Sequence, residues 1–218
     1  MTYLIVFCLL GYAIGSVPSA VWVGKSFFGI DVREHGSGNA GATNVFRVLG
    51  KSAGSAVLLL DVLKGLFSAR LAYLYVNSID ASLTAVEIMD YKIVFGVMAI
   101  VGHLFPVFAG FRGGKGVATL FGVIITLNPG LALWAVVVFL LVFLPSGYVS
   151  LSSMIAGISI PVLAIRVFGM YQTGVVVFTI TLAVLVVVTH KKNIQRLISG
   201  TENRAKIFGK SGRKNKLA

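Results

Sequence analysis

Long apolar runs, separated by short clusters of glycine and charge, set the rhythm of this chain from one end to the other. A helix needs roughly 20 apolar residues to cross a bilayer, and seven stretches reach or approach that length. They are Leu4 to Val23, Ala53 to Val76, Ile93 to Ala109, Val117 to Leu127, Leu131 to Leu144, Leu151 to Phe168 and Gly174 to Thr189. The fourth and fifth are short. Asn128-Pro129-Gly130 between them reads as a tight turn, because Pro and Gly together end helices, with one bent helix as the alternative. Met1 to Ala20 has the apolar core of a signal peptide but no basic residues before it, so it is expected to be a retained span. The pattern therefore predicts an all-α integral membrane protein with about seven transmembrane helices.

Seven crossings put the two ends on opposite sides, and the placement of Lys and Arg tests the count. The loop from Lys25 to Ser52, the loop holding Arg112 and Lys115, and the chain after His190 carry 15 of the 19 basic residues. All three fall on one side. The opposite side receives the stretch from Asn77 to Lys92, with Asp80, Glu87 and Asp90 against one Lys. This predicts the N-terminus outside and the C-terminus in the cytoplasm. One catalytic membrane domain, 1–192, is expected, followed by a basic cytoplasmic tail, 193–218, whose start contributes to the site.

Composition sharpens the class. With 57% hydrophobic and 12% charged residues and a mean hydropathy of +0.93, the chain faces lipid rather than water. Its net charge of +12 sits in patches between apolar runs, which suits anionic headgroups or anionic substrates and not nucleic acid. Cys8 stands alone, which excludes an intramolecular disulfide and a cysteine-based metal site.

Three glycine-rich or basic segments carry the candidate chemistry. Gly36-Ser37-Gly38-Asn39-Ala40-Gly41 spells a dinucleotide fingerprint, with Asp61 twenty residues on, but no strand precedes it and Asp61 lies in a membrane helix. What remains is an anion cradle: exposed backbone N–H groups, the donors of Ser37, Asn39 and Asn44, and Arg47 as a planar fork. Phe111-Arg112-Gly113-Gly114-Lys115-Gly116 lacks the Ser or Thr of a P-loop, yet it sets three glycines around one lysine at the mouth of a helix. His190, Asn193 and Arg196 follow the last span at helical spacing on one face, and His190 is a candidate base. Asp61 and Lys64, at i, i+3 inside the second span, are expected to neutralise each other. Ser150 and Ser153 sit near one end of the sixth span, and His103 ends the third, where packing is the simpler role.

Taken together, the strings Gly36-Ser37-Gly38-Asn39 through Ala42-Thr43-Asn44-Val45 and Arg47, Asp61 with Lys64-Gly65, Gly102-His103 with Phe105-Pro106, Gly113-Gly114-Lys115-Gly116, and His190, Asn193, Arg196 with Gly200-Thr201-Glu202 resemble the bacterial acyl-phosphate:glycerol-3-phosphate acyltransferase family, the PlsY-type membrane enzymes. The resemblance runs nearly end to end. It implies transfer of a fatty acyl group from acyl phosphate to the sn-1 hydroxyl of glycerol 3-phosphate, giving lysophosphatidic acid and phosphate. It also implies a multi-pass protein of the bacterial cell membrane with its site on the cytoplasmic side and membrane lipid around it. No cofactor is expected, and no cluster has metal-ligand spacing.

On that reading Lys115, with Gly113, Gly114 and Gly116, holds the acyl phosphate, while Arg47, Asn44, Asn193 and Arg196 fix the phosphate of glycerol 3-phosphate. Gly36, Gly38 and Asn39 add to the cradle. Ser37, Ser150 and Ser153 donate to developing charge, and the proton of the attacking hydroxyl goes to His190 or to a substrate phosphate oxygen. Asp61, Lys64 and Glu202 support the site. The rival class is a small transporter of a phosphorylated metabolite, whose ionisable groups would mark a path reaching both faces.

Overall fold

The computed structural model describes residues 1–79 and 82–205, and these form ten α-helices with no strand among them. Lys206, Lys210, Arg213, Lys214 and Lys216 of the expected basic tail, and Asp80, lie outside the described residues. The helices are α1 (Thr2–Gly15), α2 (Ser19–Phe28), α3 (Ala42–Val48), α4 (Lys51–Ile79), α5 (Ala85–Leu104), α6 (Val117–Leu127), α7 (Pro129–Ser146), α8 (Val149–Arg166), α9 (Thr173–Thr189) and α10 (Lys191–Ile198). The segments Ala85–Ala109, Pro129–Ser146 and Val149–Arg166 are each long and apolar enough to cross a bilayer, and the bent pairs α1 with α2 and α9 with α10 each qualify when taken together. α4 is the longest helix, about 43 Å at 1.5 Å per residue.

Three boundaries differ from the sequence expectation. The first apolar run is broken: Pro18 has no N–H to give to the preceding turn, and α2 leaves α1 at 41°. The Val17 carbonyl at this break accepts from Ser19 N–H at 3.0 Å and from Lys64 Nζ at 3.1 Å. The acidic stretch from Asn77 to Lys92 is mostly helix and not loop. α4 runs on to Ile79, and α5 starts at Ala85 because Thr84 and Glu87 form a reciprocal capping box. At the other end, α9 does not continue smoothly through His190; α10 turns away by 57°. The Asn128 turn is as expected, its Oδ1 accepting from Leu131 N–H at 2.9 Å to start α7.

Small residues set how closely the helices approach, as GxxxG-type spacing does in membranes. Gly15 of α1 lies against the backbone of Ala99 in α5, and Gly65 of α4 against the carbonyl of Thr119 in α6. Because α4 packs on α1, α5 and α6 at once, it forms the hub of one half of the bundle. α7, α8 and α9 form the other half around Leu131, Ile160, Val175, Leu182 and Val186. A separate small core of Ala20, Val32, Val45, Ala53 and Val57 fixes α2, α3 and the intervening loop onto the start of α4.

Candidate active site

The segment between α2 and α3 is held by its own side chains before it meets any other. Arg33 clasps Asp31 with two guanidinium N–H donors, Nε to Oδ1 at 3.0 Å and Nη2 to Oδ2 at 2.7 Å, and this holds the Asp31 carboxyl well below the usual carboxylate range. Arg33 Nη1 then donates to the carbonyl of Ala109 at 2.8 Å, tying this loop to the one before α6. Asn44 is buried and uses its whole amide inside the loop. Its Oδ1 accepts from Ser37 N–H at 2.8 Å and Ser37 Oγ–H at 3.1 Å, while its Nδ2 donates to the carbonyls of Val32 at 2.8 Å and His35 at 3.0 Å. Asn44 thus builds the loop that carries Ser37 and Gly36. Gly36 (φ 62°) and Gly38 (φ 71°) are left-handed, and a side chain on Gly36 would strike Asn44 Oδ1. Ser37 is exposed, Asn39 half-buried, and Arg47 exposed on α3.

The second loop packs directly beneath the first. Gly113 lies against the carbonyl of His103, and Gly114 lies between the His103 ring and the carbonyl of Ala40. No larger residue fits either position. Gly116 (φ 79°) then turns the chain into α6, so Lys115 leaves the loop at a helix N-terminus with its stem half-buried.

What Lys115 meets comes from the far end of the chain. Its ammonium donates to Asn193 Oδ1; Asn193 Nδ2 donates in turn to Glu202 Oε1 at 2.7 Å. The same carboxylate accepts from Ser150 Oγ at 2.7 Å and from Arg196 Nε at 2.8 Å. Glu202 reaches this position through the end of α10. Gly200 is left-handed at φ 71°, its N–H bonding Leu197 O while Thr201 N–H bonds Arg196 O. This is a Schellman close, and it folds Glu202 back over its own helix. Beyond it, Ala205 N–H donates to Gly147 O at 2.8 Å and the Arg204 guanidinium stacks on Tyr148.

Electrostatics bind the assembly further. Burial first, and then the nearby charges of Arg196 and Arg47, pull Lys115 down to about 8 against the opposing pull of Glu202. Burial raises the Glu202 carboxyl, but the hydrogen bonds from Ser150, Arg196 and Asn193 outweigh it and leave it below its ordinary value. His190 is buried, and with its Nδ1 bonded to the Val186 carbonyl at 2.7 Å it presents Nε2 as the acceptor. Burial and the Lys115 charge lower it to about 4, so it is neutral near pH 7.

The structure thus brings together Lys115, Asn193, Arg196, Glu202, Ser150 and His190, with Arg47 near enough to weigh on the Lys115 charge. Asn193 bridges Lys115 to Glu202. Among the described residues Arg196 makes no hydrogen bond from its two outer nitrogens. Ser153 is buried one turn beyond Ser150 and hydrogen-bonds to none of the described residues. Asp61 and Lys64 do pair, at 2.9 Å, under the second loop. The sequence reading passed over the Asp31–Arg33 clasp, whose signal was an acid and a base two apart before a glycine run, and over Thr119, which carries no signal in sequence at all. Among the described residues no three His, Cys, Asp or Glu side chains gather where they would hold a metal ion.

Known proteins resemble this chain over nearly its whole length. Residues 5–200 match the family model described as glycerol-3-phosphate acyltransferase. A glycerol-3-phosphate acyltransferase of Listeria monocytogenes is 45% identical over 93% of this chain and 97% of its own length. One from Enterococcus faecalis is 39% identical over 98% and 96%. Among solved structures, the crystal structure of PlsY (YgiH), an integral membrane glycerol 3-phosphate acyltransferase, in its glycerol 3-phosphate form superposes with a TM-score of 0.80 at 38% identity, covering 94% of this chain and 96% of that one. Its lysophosphatidic acid form gives 0.77 at 37% identity.

Proposed function

The chain belongs to the glycerol-3-phosphate acyltransferase family, and on that footing we propose that it transfers a fatty acyl group from acyl phosphate to the sn-1 hydroxyl of glycerol 3-phosphate at the Lys115–Asn193–Glu202 centre. It is an integral membrane acyltransferase of phospholipid synthesis, a partner of glycerol 3-phosphate and of lipid. The finer reading is seven spans, the N-terminus outside, and the centre on the cytoplasmic face of a bacterial cell membrane.

One observation carries the assignment of roles. A half-buried cation, joined through Asn193, and an arginine whose outer nitrogens bond to none of the described residues are tied to a single carboxylate, Glu202, with a neutral imidazole beside the cation. Lys115, in its cradle of Gly113, Gly114 and Gly116, holds the phosphate of the donor and draws charge from the mixed anhydride, while the N–H of Gly114 is taken by the His103 carbonyl. Arg47 and Arg196, as forks, hold the phosphate of glycerol 3-phosphate together with Asn44 and Asn193. The hydroxyl oxygen then attacks the acyl carbon, the carbon–oxygen bond to the phosphate breaks, and inorganic phosphate leaves. The hydroxyl proton passes to His190 Nε2 or to a phosphate oxygen of a substrate. Ser37, Ser150 and Ser153 are the nearby hydroxyls for the developing charge, with Gly36, Gly38 and Asn39 lining the same face. Most of the rate comes from holding the two substrates in register.

The test is direct. Purified protein in detergent is incubated with acyl phosphate and glycerol 3-phosphate, and lysophosphatidic acid is measured. Formation from acyl phosphate, undiminished by a chelator and absent with acyl-CoA or acyl carrier protein as donor, is the expected result; equal rates from acyl-CoA would overturn the donor assignment.

A further inference from the structure

The lipid-facing stripe of α5 does not stop where the helix does. Val94, Val97 and Val101 are exposed at i, i+3 and i+7, and past the helix end Phe105, Val107, Phe108 and Phe111 are each between 44% and 59% exposed. Four large apolar side chains bunched on one loop form a patch that needs a cover. Because the patch continues a face that already lies against lipid, the bilayer is what meets it. Arg112 comes next, exposed, its guanidinium bonding to none of the described residues.

The backbone of this loop is built to hold its rings outward. Phe111 has φ 59°, the one left-handed residue other than glycine among the described residues, and a bulky side chain there is strained. Burial does not account for it, since the ring is 59% exposed. Pins on either side impose it instead. Gly110 is left-handed too, at φ 62°, Phe111 N–H donates to the Pro106 carbonyl at 2.9 Å, and Arg33 Nη1 holds the carbonyls of Ala109 at 2.8 Å and Arg112 at 3.4 Å. Tyr12 Oη donates to the Phe105 carbonyl at 2.8 Å and closes the end of α5. Strain that its surroundings enforce on an exposed ring points to a working surface.

We propose that residues 105–112 are a membrane-docking knob whose occupant is the anionic bilayer interface: the rings of Phe105, Phe108 and Phe111 enter the boundary between headgroups and acyl chains, and Arg112 meets lipid phosphates. With Asp31 and the exposed Glu34 set against Lys25 and Arg33, Arg112 is the charge left over. Gly113 follows directly, so docking sets the glycine loop at headgroup level, whichever substrate phosphate Lys115 meets.

Tryptophan fluorescence of the purified protein in vesicles provides the test. Trp22→Phe and Trp134→Phe remove the native indoles, and Phe108→Trp reports from the knob, on protein shown to be folded by its elution volume and thermal unfolding. If that variant does not fold, Val107→Trp takes its place. The new indole is expected to be quenched most by lipids brominated near the headgroup end of the acyl chain, less by bromine near the chain end, and little by aqueous acrylamide. At equal mole fraction, brominated phosphatidylglycerol is expected to occupy the surface on the order of threefold to fivefold more than brominated phosphatidylcholine, and Arg112→Gln to remove that preference. Phe111→Gly relieves the left-handed backbone and deletes one ring. It is expected to keep Tm in detergent at or above the parent's value, and to raise quenching by acrylamide about twofold. Acrylamide quenching like that of free tryptophanamide, equal quenching at all chain depths, no preference for the anionic lipid, a preference that survives Arg112→Gln, or a lower Tm in Phe111→Gly each overturns the proposal. None of these measurements depends on catalysis, so a failure here leaves the acyl transfer reading standing.

Discussion

Lys115 has to be both partly buried and charged, and these demands pull in opposite directions. Burial lowers it to about 8, so it is mostly protonated at pH 7 and loses its proton as the pH rises through that value. The free enzyme should show this directly: kcat/KM for acyl phosphate is expected to fall on the alkaline side with an apparent pKa near 8. The matching limb in kcat should lie higher, because a bound phosphate favours the ammonium form. Alkaline limbs of kcat and kcat/KM at the same pH would count against it. Removing the charge altogether should be more severe. Lys115→Ala is expected to cost on the order of 100-fold or more in rate, and Arg47→Lys a comparable loss, since a point charge does not replace a fork. Lys210→Ala and Lys214→Ala, in the expected basic tail, should leave turnover within about twofold. The cations were legible in the sequence because glycine neighbours and topology singled them out. Asn44 and Asn193 were legible only as polar residues. Their partners, the carbonyls of Val32 and His35 in one case and Glu202 in the other, depend on how the chain folds back, which spacing does not encode.

At the scale of elements, the least regular ones set the geometry of the site. The left-handed close at Gly200 (φ 71°) turns the chain so that Glu202 meets Ser150, Asn193 and Arg196. Gly200→Ala places a Cβ in a region that costs about 1 kcal/mol, and the price is paid at the carboxylate. The expected outcome is a fall in activity on the order of tenfold with a small drop in Tm. Gly169→Ala, at a similar φ of 61° but between α8 and α9, should lower Tm comparably and leave activity near normal. Equal activity losses in the two would remove the special role of the α10 close. Apolar length predicted the helices themselves well, from α6 to α9 within a few residues. It missed the break at Pro18, where the run of apolar residues continues straight through, and it missed the start of α5, where Glu87 and Asp90 extend the helix through its capping box although they are too polar for lipid.

Taken whole, the protein draws its site from segments as far apart as Asp31 and Glu202, so every loop that contributes must emerge on one side of the bilayer. Single cysteines placed near Lys192 and at Thr84, in a Cys8→Ser background, report this in oriented vesicles. The first is expected to react only from the cytoplasmic side and the second only from outside; reaction of both from one side would refute an odd number of crossings. The charged pair inside α4 has a consequence for how such a molecule is made. Asp61 and Lys64 each cost about 2.5 to 3.5 kcal/mol to place in a bilayer centre, while Val57, Leu58, Leu59, Leu60, Val62, Leu63, Leu66 and Phe67 together offset only about 2 to 5. As an isolated segment, α4 is therefore expected to partition poorly from the translocon. Lys64 reaches the Val17 carbonyl and Asp61 lies beside His103 only when α1 and α5 stand next to it, so the hub of the bundle should enter the lipid late, carried in by the helices made before and after it.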